Sequence, residues 1–146
     1  MMLNKKGVKM AKQEDIERVK EYSNLISEGR RDLADEMRDF TGADLSGANL
    51  SKLNLTDAKF YNANFEGAKL RHVMLIDADL RRANFKNAII KFSDFDLACL
   101  SCADLRNVSL YKTSFQEIVC KGHEFEKVDM YTCELSSHSA LDEDEE

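Results

Sequence analysis

The sequence has few of the residues that usually end and turn secondary-structure elements. Its 146 residues contain no proline, no tryptophan and only six glycines, so ordinary Pro/Gly turns do not connect its elements. Its longest strongly apolar stretch is about Val73–Ile76, far below the ~20 residues that a transmembrane helix needs. It also has no charged-then-apolar N-terminal stretch of the signal-peptide kind. These absences favour a cytoplasmic location with no membrane segment, where the four cysteines would be free thiols.

Charge is unevenly spread along the chain, whose formal net charge is −6. Residues 1–12 contain four lysines and no acid, which predicts a mobile basic arm. Residues 136–146 finish with five consecutive acids, Asp142–Glu146, which predicts an acidic disordered tail.

Residues 13–39 have the spacing of an amphipathic helix. Its apolar positions share one side and continue after Gly29, namely Ile16, Val19, Tyr22, Ile26, Leu33 and Met37. We predict that this segment is an N-terminal α-helical cap over the open end of a repeat domain, because the terminal units of a solenoid must cover their exposed core. A dedicated partner-binding helix is the alternative.

A strict five-residue period governs residues 40–135. Every fifth residue from Leu45 to Leu135 is apolar or cysteine, over nineteen positions without a slip, and a small residue often stands two positions before. Five fits neither the 3.6 period of a helix nor the 2.0 period of a strand, so the pattern indicates a repeat architecture. Calling the fifth-residue position i, we expect i−2 and i to face inward, i−1 to face outward, and i+1 and i+2 to turn the chain.

The repeated motif is Ala-Asp/Asn-Leu/Phe-x-x. It occurs at residues 43–47, 48–52, 63–67, 78–82, 83–87 and 103–107. This motif resembles that of the pentapeptide-repeat family, and the resemblance covers about two thirds of the chain. It implies an all-β solenoid, a right-handed quadrilateral β-helix of about five coils with four pentapeptides per coil.

Four units per coil sort the outward residues onto four sides, two of which have distinctive chemistry. We call the side with units centred on 55, 75, 95, 115 and 135 the acidic side, since it carries six acids and no base: Asp57, Asp77, Asp94, Asp96, Glu117 and Glu134. We call the side with units centred on 50, 70, 90, 110 and 130 the basic–aromatic side. Its candidate residues are Lys52, Lys69, Arg71, Lys91, Phe92, Tyr111, Lys112 and Tyr131.

Both sides are candidate surfaces for a macromolecular partner, and we expect a protein. Some members of the family resemble DNA in charge and shape and protect type II topoisomerases from quinolones. The resemblance therefore also implies an alternative, a DNA-mimicking inhibitor or protector of a topoisomerase that uses the acidic side. Bases among aromatics can hold single-stranded nucleic acid, but we do not expect that partner here. The opposite charges of the two sides leave self-association open.

No catalytic or metal site is predicted. Cys99-x-x-Cys102 and Cys120-x-x-His123 have zinc-like spacing. The repeat register places the first two residues outward and the last two inward, so the four do not converge. The three histidines are scattered and there is no glycine-rich phosphate loop. We therefore predict a protein that is not an enzyme and that uses no cofactor.

Overall fold

The computed structural model describes residues 13–120, Phe125, Val128 and 133–137, of which 134–137 by backbone only. The predictions made for residues 1–12, for the acidic run and for Tyr131 and His123 lie outside these residues. No described helix has the length and apolar character needed to cross a bilayer.

Two helices are followed by short parallel strands. The helices are α1 (Gln13–Ser27) and α2 (Arg31–Met37). One sheet has the order β1–β2–β3, with β1 at Lys69–Arg71, β2 at Ile89–Lys91 and β3 at Ser109–Tyr111. A second sheet pairs β4 (Ser114–Ile118) with β5 (Glu134–Ser137).

Backbone pairing between residues 20 positions apart builds the rest of the domain. Asp44 forms a parallel bridge with Asn64, and β1, β2 and β3 pair with the same offset. Leu45 N donates to the Asn64 carbonyl at 2.7 Å, and Asn64 N donates to the Ala43 carbonyl at 2.8 Å. Twenty residues are four five-residue units, so this parallel β-helix has four sides per coil. Its right-handed sense and its number of coils stay predictions.

Buried columns of side chains fill the interior. The fifth-residue positions from Leu45 to Cys120 are buried, except Leu110, which is partly exposed. Phe65 and Phe85, one coil apart, stack with ring centroids 4.7 Å apart. Phe85 also meets Phe95 edge to face at 6.1 Å. This interdigitation leaves room for only small residues at most of the i−2 positions, where alanine predominates.

The Asp or Asn at position i−1 is a turn residue. Oδ1 of Asn64 accepts a hydrogen bond from Glu66 N at 3.0 Å, and Oδ1 of Asp94 accepts one from Asp96 N at 2.9 Å. The same bond recurs in other units. Such local bonds from Asp and Asn stabilise turns. The motif therefore has a structural cause that the period alone did not reveal.

The residue at i+2 has a positive φ in every unit from the one centred on Phe40 to the one centred on Phe115. This left-handed conformation suits glycine, and asparagine and aspartate tolerate it. Phe92 (φ 54°) and Leu97 (φ 63°) are bulky exceptions, and each costs about 1–2 kcal/mol. The twenty-residue ladder holds them there, since Phe92 N donates to the Tyr111 carbonyl at 2.9 Å.

Helix α1 supplies hydrogen-bond acceptors to the first coil. In later coils the N–H of position i−1 donates to a carbonyl of the preceding coil, which the first coil lacks. There Asp44 N donates to Asp15 Oδ2 at 2.9 Å, and Asn54 N donates to Ser23 Oγ at 2.8 Å. The Tyr22 hydroxyl donates to the Thr56 carbonyl. Asp44 N and Asn54 N are thereby satisfied. That α1 caps the domain remains a prediction.

Two local predictions are corrected. Leu33 does not continue the buried side of α1, because Gly29 (φ 74°) ends that helix and resets the helical phase. Leu33 is 36% exposed and Ala34 is buried instead. The buried Phe40, at the start of the predicted repeat, stacks on Phe60. The acidic tail was expected from residue 136, but β5 runs to Ser137 because its backbone pairs with β4.

The interior column of rings gives a first prediction. Phe85→Ala should lower the free energy of unfolding by about 3–5 kcal/mol, because a fully buried ring leaves a cavity. The control is Phe92→Ala, where the ring is 43% exposed and only about 1 kcal/mol is at stake. Urea unfolding of both variants measures the difference, and equal losses would contradict the assignment of inward and outward positions.

The contact of Tyr22 in α1 with the first coil predicts how stability depends on pH. Burial raises the pKa of Tyr22 from 10.0 to about 12, with the charge of Asp57 adding to the effect. A phenol whose pKa is higher in the folded than in the unfolded state stabilises the fold fully below pH 10. That contribution is lost as pH rises from 10 towards 12. We expect the melting temperature of the wild type to fall more steeply across that window than that of Tyr22→Phe.

The matched control for the pH experiment is Tyr61→Phe, which changes an exposed tyrosine. This variant should follow the wild-type pH profile. A Tyr22→Phe profile parallel to the wild type would show that α1 is not docked through this hydroxyl.

Candidate partner-binding surface

The basic–aromatic side contains the three-stranded sheet β1–β2–β3. Its register places Lys69 beside Ile89 and Ser109 in one outward row, and Arg71 beside Lys91 and Tyr111 in the next. Lys52 and Lys112 lie at the turns that follow the same side. The structure thus brings together every described residue predicted for this side, whereas Tyr131 lies outside the described part of the chain.

Aromatic rings form a row along the turn edge of this side. His72 and Phe92 stack one coil apart with centroids 5.0 Å apart and planes at 7°. Tyr111 meets Phe92 edge to face at 5.3 Å. Lys112 Nζ lies 5.5 Å from the centroid of the Tyr111 ring. The row leaves Phe92 and Tyr111 substantially exposed, which marks an apolar patch within a cationic surface.

Four cations of this side form no ion pair with another described residue. They are Lys52, Lys69, Arg71 and Lys91. Arg71 and Lys91 occupy paired positions of adjacent strands, about 4.8 Å apart along the coil axis, and like charges so placed repel. The side therefore presents a concentrated positive potential that an anionic surface would relieve.

A groove opens where the basic–aromatic side meets the acidic side. It is lined by His72, Phe92, Ser93, Asp94, Lys112, Thr113 and Ser114. Ser93 is buried, and its hydroxyl both accepts from Val73 N and donates to backbone carbonyls. The groove thus adds a polar wall to the aromatic row.

Two arginines of the other sides are in contrast engaged. Arg81 forms a two-bond ion pair with Asp79 at 2.8 and 2.7 Å, and Arg106 does the same with Asp104 at 2.9 and 2.6 Å. These arginine hydrogen bonds lower the pKa of Asp79 and of Asp104. Their charges therefore cancel locally.

The acidic side does not present six available carboxylates. Asp57 forms an ion pair with Arg31 of α2 at 3.4 Å. Asp94 is half-buried in its turn, and burial raises the pKa of its carboxyl above the usual range. Asp96 Oδ1 accepts from Ser114 Oγ at 2.6 Å and from Gln116 N at 2.8 Å. These three acids are therefore engaged within the fold.

The remaining acids of this side are separated. Asp77 and Glu117 occupy exposed turn positions two coils apart. Between them stands Leu97, which is 47% exposed. Glu134 belongs to β5, and its side chain lies outside the described residues. The column of like charges expected from the sequence is therefore interrupted.

The thiols follow the predicted register in the described residues. Cys102 is exposed, Cys99 is partly exposed and Cys120 is buried. Within the described part of the chain, no three His, Cys, Asp or Glu residues are grouped as metal ligands would be.

Comparisons with known proteins place the repeat in a family. The model for pentapeptide repeats matches residues 39–75 and 63–101, in eight copies. No curated protein sequence matches the chain.

Solved structures of pentapeptide-repeat proteins are similar to it. One from Nostoc Pcc 7120 is 24% identical with a TM-score of 0.42, over 76% of this chain and 95% of that one. One from the thylakoid lumen of Arabidopsis thaliana is 27% identical with a TM-score of 0.33, over 58% of this chain and 55% of that one. A plasmid-mediated fluoroquinolone resistance protein is 19% identical with a TM-score of 0.28, over 66% and 65%. The chain thus spans about half the length of the Arabidopsis protein.

The structural role of Asp96 can be tested by a double-mutant cycle. Asp96→Ala should lower the free energy of unfolding by about 1–3 kcal/mol, because it removes an acceptor shared by Ser114 and Gln116. We expect a coupling energy of about 1 kcal/mol between Asp96→Ala and Ser114→Ala. Asp77→Asn, a turn residue that asparagine also tolerates, should change stability by less than about 0.5 kcal/mol. Additive losses in urea unfolding would contradict the shared bond.

Proposed function

We propose that this chain, which belongs to the pentapeptide-repeat family, is a non-enzymatic module that binds an acidic protein partner through its basic–aromatic side. The observation that carries the proposal is a group of cations that form no ion pair with another described residue, next to the exposed rings of Phe92 and Tyr111. The cations are Lys52, Lys69, Arg71 and Lys91. Arginine and aromatic residues are enriched where proteins bind one another. The parallel strands beneath them fix the spacing of the surface before a partner arrives, which lowers the entropic cost of binding.

Ring exposure supports the same surface. Phe92 lies at the turn position whose φ is positive in every described unit, and its ring is 43% exposed. An exposed apolar ring within a polar surface marks a contact site. We propose Phe92 as the apolar anchor of the interface. Lys91 precedes it in the chain, and Lys112 occupies the same turn position one coil further on.

A protein partner accounts better for the ring geometry than single-stranded nucleic acid does. Base binding needs open ring faces. His72 and Phe92 already cover one face of each other, and the edge of Tyr111 packs against Phe92. The exposed ring edges and cations suit acidic and apolar side chains of a folded partner.

The DNA-mimic alternative depends on the acidic side. Duplex DNA carries about one charge per 1.7 Å. On the acidic side Asp57 pairs with Arg31, and Asp94 and Asp96 are hydrogen-bonded within the fold. We therefore place protection of a type II topoisomerase second to the basic–aromatic surface. We further propose that the protein works in the cytoplasm and that any pairing of two copies depends on salt.

The surface can be tested by charge reversal. The Arg71→Glu/Lys91→Glu double variant should reduce recovery of bound partner from an extract of the source cell by about tenfold or more. Reversal replaces attraction by repulsion at the interface. Recovery by the wild type should also fall between about 0.05 and 0.5 M salt. Quantitative pull-down followed by binding measurements on the purified partner gives the affinity.

The matched control is Arg82→Glu/Lys86→Glu, which makes the same change in net charge on other sides of the β-helix. The control should retain the wild-type affinity. Equal losses of affinity in both variants would show that binding depends on net charge and not on the position of the cations. Protection of a topoisomerase from a quinolone that survives Arg71→Glu/Lys91→Glu would support the DNA-mimic alternative instead.

A further inference from the structure

Resting on the proposed function, we infer that the acidic partner presents an extended segment with the pattern acidic–x–apolar–x–acidic. The segment lies along the corner column, which is the row of exposed i+2 residues at one edge of the basic–aromatic side. The corner column consists of Lys52, His72, Phe92 and Lys112.

The order of the side chains in the corner column defines the pattern. Lys52 and Lys112 lie at its two ends, and the stacked rings of His72 and Phe92 lie between them. The Phe92 ring is 43% exposed, so its free surface can receive an apolar side chain. Electrostatic complementarity requires an acid opposite each lysine. The two acids therefore stand on either side of the apolar residue.

The spacing of the corner column selects an extended backbone. Lys52 and Lys112 are three coils apart, which is about 14 Å, and the middle of the ring pair is about 7 Å from each end. In an extended chain the side chains on one face recur about every 6.7 Å, so three in succession span about 13 Å. Three residues on one helix face, at i, i+4 and i+7, span only about 10.5 Å. The extended segment thus fits better than a helix.

The groove beside the corner column has room for the backbone of the segment. Its far wall contains Asp94 and Ser114, and its floor contains the buried Ser93 and Thr113. An extended chain has no internal partners for its N–H groups, so polar groups beside it are needed. The Ser114 hydroxyl donates to Asp96 and keeps lone pairs that can accept from such an N–H.

Asp94 is the one acid among the described residues that line the groove, and it opposes an acidic segment. Asp94→Asn should therefore tighten binding of such a segment about threefold, because the repulsion disappears. Asparagine keeps the turn bond that Asp94 Oδ1 accepts from Asp96 N. The control is Asp77→Asn, which makes the same change in net charge at another corner of the coil. Its effect on affinity should be less than about 1.5-fold.

The test uses two blocked peptides of the same composition and charge. The probe is Gly-Glu-Thr-Leu-Thr-Glu-Gly, in which the glutamates and the leucine share one face of an extended chain. The control peptide is Gly-Glu-Glu-Leu-Thr-Thr-Gly, in which the two glutamates point to opposite faces. NMR titration of the backbone amides gives both the affinity and the location. The wild type should bind the probe about tenfold more tightly than the control peptide, with shifts along the corner column.

Phe92→Ala tests the apolar position of the pattern. This variant should bind the probe about tenfold more weakly than the wild type and lose most of the preference over the control peptide. The matched control is Leu97→Ala, which removes a 47% exposed apolar side chain from a turn position of the same kind on the acidic side. It should keep the wild-type affinity within about twofold.

The outcomes separate this inference from the proposed function. Equal binding of both peptides would overturn the inference and leave the acidic partner in place, because charge alone would then explain binding. Unchanged affinity of Asp94→Asn would also overturn it, since the segment would then lie away from the groove. Preference for the probe, together with a captured partner that tolerates Arg71→Glu/Lys91→Glu, would contradict the proposed function and leave the specificity of the corner column standing.

Discussion

The backbone hydrogen bonds that pair residues 20 positions apart on successive coils are the constraint on which the rest of this structure depends. They satisfy the backbone of each coil through the next one and fix which side chains lie above one another. Buried rings such as Phe65 and Phe85 stack because the ladder places them in register. The same ladder brings Arg71 and Lys91 close despite their repulsion. Stability and surface charge are therefore set by one spacing.

The five-residue period made most of the interior predictable. Inward positions from Leu45 onward are almost all buried, since a strict period leaves no freedom of register. The period could not show that Ala34 is buried and Leu33 exposed. Which side of α2 faces the core depends on how the chain leaves α1 at Gly29. The period also missed the acceptors that Asp15 and Ser23 offer to the first coil, which are contacts across more than 25 residues.

The candidate surface was predictable in composition but not in availability. The described residues of each predicted surface lie on one side of the coil. A formal charge, however, does not show whether its carboxylate is engaged. Asp96 binds Ser114 of the next coil and Asp57 binds Arg31, and the second contact requires knowing where α2 lies. No acid stands beside the cations in the two outward rows of the three-stranded sheet. The other residues of these rows are Ile89, Ser109 and Tyr111.

A coil of fixed length has a consequence for how such a chain can change. Insertion or deletion of 20 residues leaves every later side chain on its original side, while a change of five residues turns all later sides by one quarter of a coil. The buried columns would accept a change of five better than the surface, because most units place one small and one large apolar residue inward. The outer surface would not, since the cations around Lys91 would move onto another side. The interior thus tolerates insertions or deletions in multiples of five residues better than the binding surface, which keeps its arrangement only when the change is a multiple of twenty.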